Sequence, residues 1–370
     1  MSFSVLGKIN LGLNWVALFF CVPLVSATDL SDLIKAVNGV GSEGQGNELA
    51  INAMKKLSSQ PPSSIPEMLK GMNRSNRLSV NWLRSAIESS AQQGPLPVAQ
   101  LKTFLQEKSN SQYARRLAFE LIVESQPNQK NLMLTEMLDD PSLEIRRDAV
   151  ELELQKVEGI ESREEKIKGY RSALEHARQI QQIKSIAESL SELEVDTDLT
   201  SHFGLITRWH LIGPFPNKEQ SKFDEAYPPE KEINLEDSYK GDSGKQVSWS
   251  LHQSQESEGI VDLNKALANH KGAISYAYTE FNSSRVQPVD VRLGCINANK
   301  VWVNGKLVIA NNVYHAGMNL DQYIGKTTLK SGINKILIKV CQNEQKESWA
   351  QRWQFQFRIS DATGKAIVSR

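Results

Sequence analysis

The 370-residue chain carries 43 Lys+Arg against 43 Asp+Glu, 40% apolar residues and three cysteines. That length suits about two domains with real cores. Zero net charge excludes a protein built to grip nucleic acid along a basic face. Three cysteines with no Cys-x-x-Cys pair exclude a disulfide-stapled miniprotein and a simple zinc or redox motif. The neutrality is a cancellation: residues 1–200 hold 22 Lys+Arg and 26 Asp+Glu, residues 201–370 hold 21 and 17, and five of the seven tryptophans lie in the second part.

Residues 1–27 read as a cleaved export signal. Lys8 supplies the positive region, Leu11 to Leu24 the apolar stretch, and Val25-Ser26-Ala27 the small-residue cleavage site. The apolar run contains Asn14 and Pro23 and is short against the ~20 apolar residues of a bilayer span. No later run is long enough to span, so an exported protein, periplasmic or extracellular, without a membrane anchor is expected. Loss of Cys21 with the signal leaves Cys295 and Cys341 in an oxidising compartment, either as one disulfide between strands or as two buried thiols.

Residues 28–200 follow a helical period. Leu78, Trp82 and Ala86 recur at i, i+4 and i+8, widened by Leu83 and Ile87, and Leu101, Phe104, Leu105 and Leu117, Leu121, Ile122 repeat the theme. Proline-containing turns at 60–63, 93–95, 125–127 and 139–142 separate them, which suggests stacked helical hairpins. Gly39-Val-Gly41-Ser-Glu-Gly44 has the letters of a dinucleotide loop, but it follows a helix-like segment and reads as a turn between helices. Arg115, Arg116, Arg146 and Arg147 are expected to pair with nearby carboxylates on a solvated face, or to meet an acidic partner.

From Thr207 the period becomes alternating. Val289, Val291 and Leu293 share one strand face, as do Ile336, Ile338 and Val340, and then Trp353, Phe355 and Phe357. Lys300-Val-Trp-Val-Asn304-Gly305-Lys is a two-residue hairpin, since Asn-Gly suits a type I′ turn. Many short strands with no helical pattern between them predict an antiparallel sandwich or jelly roll over 201–370.

Asp139-Asp-Pro-Ser-Leu-Glu-Ile-Arg-Arg-Asp-Ala-Val resembles one HEAT repeat. Trp209-His-Leu-Ile-Gly213-Pro-Phe215, Tyr227-Pro-Pro-Glu230, Val301-Trp-Val-Asn304-Gly305 and Leu329-Lys-Ser-Gly332-Ile-Asn334 resemble, in that order, the galactose-binding-like jelly roll appended to secreted glycoside hydrolases. The whole chain resembles exported bacterial, planctomycete-like proteins that join HEAT-like helical repeats to such a domain. The resemblance implies a multidomain architecture, all-α and then all-β, with carbohydrate as a ligand class. It also implies a structural calcium as the one candidate cofactor. Asp237, Asp242 and Asp262 are its candidate oxygen ligands, although their spacing lacks the full loop pattern.

The six histidines form no metal-binding spacing and there is no Gly-x-Ser-x-Gly elbow, so no enzyme is expected. The loop Asn311 to Gln322 gathers Tyr314, His315, Asp321 and Gln322, a mixture of aromatic, imidazole and planar polar groups that suits a sugar. Trp302, Trp349 and Arg352 are further candidate ligand residues, and all seven equally suit a domain interface or a self-satisfied turn network. The expected function is non-catalytic binding of a carbohydrate or glycoconjugate, with the helices as a protein-interaction surface. A ligand-free scaffold of the cell envelope and an accessory part of a polysaccharide-degrading system are the alternatives.

Overall fold

A computed structural model of the chain describes residues 27–370. The leader read over 1–27, with Cys21, lies outside the described residues except for its last position. The described chain is helical as far as Phe203 and mostly strand from Arg208 onward, so the expected order of an all-α part and then an all-β part holds. The compact units divide elsewhere, after Lys130.

The first unit contains α1 (Ala27–Asn38), α2 (Asn47–Ser58), α3 (Ile65–Gly71), α4 (Arg77–Ala91), α5 (Val98–Gln106) and α6 (Gln112–Ser125). The glycine-rich stretch 39–46 joins α1 to α2 as a turn, with Gly44 and Gly46 at φ of +81° and +76°. Leu57, Ile65, Met68, Leu83, Ile87, Leu101, Leu117 and Ile122 fill its core. Of the expected α4 stripe, Leu83, Ala86 and Ile87 are buried and Trp82 is half-buried, but the stripe does not reach Leu78. Ser79, Leu83, Ala86 and Ser90 are buried while Leu78 is 47% exposed. The serines are tolerated because each hydroxyl has a partner: Ser79 donates to the Asn76 carbonyl and Ser90 to that of Gln60, at 3.2 and 2.8 Å.

Two arginines depart from the expected solvated face. Arg115 is buried, and its Nη1 donates to the carbonyls of Leu105 and Glu107 at the end of α5, groups that a helix terminus leaves without an intrahelical donor. In the second unit Arg146 is also buried, with Nε on the Asp140 carbonyl, although its Nη1 keeps the expected carboxylate partner, Asp139, at 3.5 Å. Arg116 and Arg147 pair with the carboxylates of Glu120 and Asp148.

The second unit opens with the helices that follow α7 (Lys130–Leu134): α8 (Leu143–Glu158), α9 (Arg163–His176), α10 (Ile180–Glu192) and α11 (Leu199–Phe203). Val150, Val157, Ala173, Ile183, Ile186, Leu190 and Phe203 form their core, which extends to Leu205 and Leu320 of the following domain. That domain contains β1 (Arg208–Pro216), α12 (Pro228–Lys231), β2 (Ser238–Lys240), β3 (Gln246–Ser248), β4 (Ser250–Gln253), β5 (Val261–Asp262), α13 (Leu263–Ala266), β6 (Ala273–Ser283), β7 (Gln287–Cys295), β8 (Ala298–Val303), β9 (Lys306–Asn311), β10 (Tyr323–Leu329), β11 (Gly332–Gln342) and β12 (Gln354–Ser360).

The strands build a six-stranded sheet, β4-β1-β6-β11-β8-β9, and a four-stranded sheet, β10-β7-β12-β5, with β2 and β3 as a separate ribbon. Every pairing is antiparallel. The three alternating sets read from the sequence all point into the layer between the two sheets, with Trp209, Phe281 and Val301. Asn304 and Gly305 join β8 to β9 with φ of 53° and 78°, the left-handed pair that a type I′ turn requires.

Candidate functional site

Alternation along β8 puts Val301 and Val303 in the sandwich core and therefore sends Trp302 to the opposite, outer face of the six-stranded sheet. That face is not bare. The excursion between β1 and β4 lies over part of it, so Phe223, Tyr227, Tyr239, Val247 and Trp249 pack with Ile212, Tyr276, Tyr278, Leu337 and Cys341.

Beneath this cover lies a charged cluster. Lys339 is fully buried, and its Nζ donates to the carbonyls of Phe223 and Glu225 at 2.9 and 2.7 Å and to Glu230 Oε1 at 2.9 Å. The same Glu230 oxygen accepts from the Tyr276 hydroxyl. Burial, then the Glu230 charge and its hydrogen bond, push the Tyr276 phenol far above its ordinary value, so it stays a protonated donor. Lys300, the cross-strand neighbour of Lys339, reaches Asp224 at 2.7 Å with its ammonium 4.4 Å from the centre of the Phe223 ring. Lys339 thus ties the excursion down from inside, while Lys300 reaches it at a carboxylate that is 87% exposed.

Where the cover ends, a groove of about 350 Å³ opens. Pro229 to Ile233, around α12, form one wall. Trp302 and Leu337 form the floor, and Gly305 and Lys335 the other rim. The half-buried indole offers an apolar face, Glu232 and Lys335 are exposed, and Glu230 is held in place by Lys339 and Tyr276. An aromatic floor beside fixed polar groups is an arrangement that receives C–H surfaces and hydroxyls together.

The other residues singled out from the sequence do not join this groove. Tyr314 is half-buried and its hydroxyl accepts from Asn217 Nδ2 at 3.0 Å. His315 stands edge-on to Trp349, centroids 5.0 Å apart, with Nε2 3.0 Å from Asn343 Oδ1. Its Nδ1 is buried without a partner, and Trp349 is 56% exposed. Gln322 accepts from the Cys295 amide and donates to the Gly317 carbonyl and the Tyr323 hydroxyl, so it belongs to a turn network. Asp321 faces inward to Arg292 and Arg358. The Arg352 carbonyl accepts from Asn297 and Gln342, part of a buried amide network that holds the 343–353 loop, while its side chain is exposed.

The three aspartates do not converge on a cation. Asp262 caps α13 through the amides of Asn264 and Lys265, Asp237 accepts from Asn234 and Tyr239, and Asp242 accepts from Ser243. Among the described residues no three His, Cys, Asp or Glu side chains stand together as a metal would need, so the calcium expectation does not fit these residues. Cys295 and Cys341 are free, buried thiols. They lie in different layers, Cys295 between the sheets and Cys341 under the cover, so the disulfide alternative is set aside.

Glu230, Lys335 and Lys339 escaped the sequence reading as site residues. One signal was present for Lys339. Leu337 and Cys341 flank it on one face of β11 while Ile336, Ile338 and Val340 occupy the other, and a strand apolar on both faces is buried on both.

No protein-family model and no curated protein matches the chain. Solved structures are similar to it only at a low level. A β-glucosidase from Kluyveromyces marxianus in complex with glucose is 13% identical with a TM-score of 0.26, over 41% of this chain and 16% of that one. An anti-sigma factor domain-containing protein from Clostridium clariflavum is 11% identical with a TM-score of 0.24, over 45% of each chain. An alkylpurine DNA glycosylase from Pseudomonas fluorescens, bound to DNA containing an abasic site analogue, is 11% identical with a TM-score of 0.18, over 92% of this chain and 95% of that one. The chain spans less than a fifth of the β-glucosidase, and similarities of this size carry no argument about function.

Proposed function

We propose that the chain is an exported, non-catalytic binding protein that holds a neutral carbohydrate in the Trp302 groove. The observation that carries this reading is the half-buried indole lying beside a carboxylate locked by Lys339 and Tyr276. Rigid polar groups beside an aromatic face recognise hydroxyls with little ordering cost. In this reading the galactose-binding-like resemblance of residues 201–370 is functional, and the N-terminal helices present a second surface for a protein of the envelope.

The test is calorimetry of the full chain with neutral cello-, malto-, xylo- and galacto-oligosaccharides. At least one series should bind saturably. Trp302→Ala should weaken that binding by about 2 kcal/mol, roughly 30-fold, as for a central aromatic anchor. Trp349→Ala, outside the groove, should leave it unchanged. Absence of saturable heat from every series, or equal binding by Trp302→Ala, overturns the reading in favour of a scaffold whose β-domain has no sugar ligand.

A further inference from the structure

A second cavity, of about 290 Å³, lies in the same unit between the helices and the sandwich and is lined by Arg178, His202, Arg358 and Lys365, with Ile183 and Phe203 as apolar wall. Its cations differ in how they are satisfied. Arg358 is saturated: Nε and Nη2 hold Asp321, and Nη1 donates to the carbonyls of Phe203 and Gly364. Asp321 is in turn shared with Arg292, so its charge is fully engaged.

Arg178 is not satisfied in that way. Its Nη1 donates to the carbonyls of Glu175 and Ala177, neutral acceptors, at 2.8 and 2.6 Å. No carboxylate lies in ion-pair reach of it among the described residues, and its Nε is buried with no partner at all. Burial and the neighbouring Arg146 depress its affinity for the proton, which Asp361 and Asp139 only partly offset. His202 is depressed by burial and by Arg178 and Arg358, with no carboxylate acting on it. Lys365 is exposed and, like Glu175, contributes to the lining. Asp361 is occupied by its own turn, accepting from Thr363 and from the Lys365 amide.

The geometry points to a binding site for the tetrahedral oxyanion of a small monoester, with Arg178, His202 and Lys365 around the oxyanion and the organic group against Ile183 and Phe203. An arginine with uncommitted donors in a cavity is the group that such an oxyanion matches, through several charge-assisted hydrogen bonds from a planar fork. The cavity is larger than an inorganic oxyanion needs, and its apolar wall accounts for the remainder. This site is separate from the Trp302 groove and does not depend on it.

The test is titration of the full chain with phenyl phosphate and with phenyl sulfate, with benzyl alcohol and inorganic phosphate as controls. Saturable binding of either ester is expected, tighter than inorganic phosphate and with none for the alcohol. The ester that binds more tightly identifies the source as a phosphomonoester or a sulfate ester. Arg178→Gln and Lys365→Gln should each weaken binding by about tenfold. The exposed position of Lys365 keeps that variant folded even if Arg178→Gln unfolds the unit. Absence of saturation by both esters at ~10 mM, or an affinity unchanged in Lys365→Gln, overturns the proposal.

Discussion

Replacing Asp321 by asparagine lowers the stability of the second unit by about 3–5 kcal/mol, the cost of leaving a buried charge uncompensated. The carboxylate receives Arg292 Nη1 at 2.8 Å and Arg358 Nε at 2.7 Å, with Arg358 Nη2 on its second contact. All three side chains are largely buried. Asp321 sits at φ of 60°, a conformation asparagine shares, so the substitution changes charge without adding backbone strain. Burial alone would raise the Asp321 carboxyl, but the Arg358 hydrogen bonds and the charges of Arg358 and Arg292 outweigh it and hold it below the usual carboxylate range. The folded state therefore binds this proton less readily than the unfolded state. The stabilisation is complete above the unfolded value of about 4 and is lost as pH falls through the lower, folded value. Urea unfolding at neutral pH gives the size of the loss. Repeating it on acidification below about pH 4 should show the wild type losing the stability that Asp321→Asn already lacks. Parallel pH profiles for the two proteins would sink this account.

Lys339→Met has an effect of similar size, about 3–5 kcal/mol, because it leaves the Glu230 carboxylate uncompensated. Methionine keeps the length of the stem but removes every donor from Glu230 Oε1 except the Tyr276 hydroxyl, and it leaves the Phe223 and Glu225 carbonyls without this partner. The excursion between β1 and β4 then loses an internal anchor, and the Pro229–Ile233 wall of the groove loses its fixed position, so oligosaccharide affinity falls along with stability. Adding Glu230→Gln to Lys339→Met should recover part of the stability, because the uncompensated carboxylate is removed. A double variant no more stable than Lys339→Met would mean that the carbonyl contacts, and not the ion pair, hold the cover.

The sequence made the sandwich legible because alternation is a local signal: Val289, Val291 and Leu293, and Trp353, Phe355 and Phe357, point to the core for the same reason that their neighbours do not. The Asn304-Gly305 hairpin was equally plain, since its chemistry is contained in two residues. Arg115 and Arg146 read as solvent-facing, and Lys339 drew no notice, because a charged residue is normally exposed. Each of them is satisfied in part by backbone carbonyls, which leave no trace in composition. Trp302 could be assigned to the face opposite Val301 and Val303. Whether that face was open depended on residues some 70 positions earlier in the chain, which no period in β8 encodes. The Tyr314–Gln322 loop looked like one site because its residues are adjacent in sequence. The turn at Gly317, with His315 and Asp321 also at positive φ, sends His315 toward Trp349 and Asp321 toward Arg358, so the apparent cluster serves two neighbourhoods.

The two thiols sit one on each side of the six-stranded sheet's inner and outer layers, both sealed from water, and burial pushes both up to about 12. In the native protein neither is a nucleophile at neutral pH. Alkylation at Cys341 therefore reports lifting of the cover, whereas alkylation at Cys295 reports separation of the sheets themselves. The chain thus carries two built-in reporters that distinguish peripheral opening from global unfolding, with no label or engineered cysteine required.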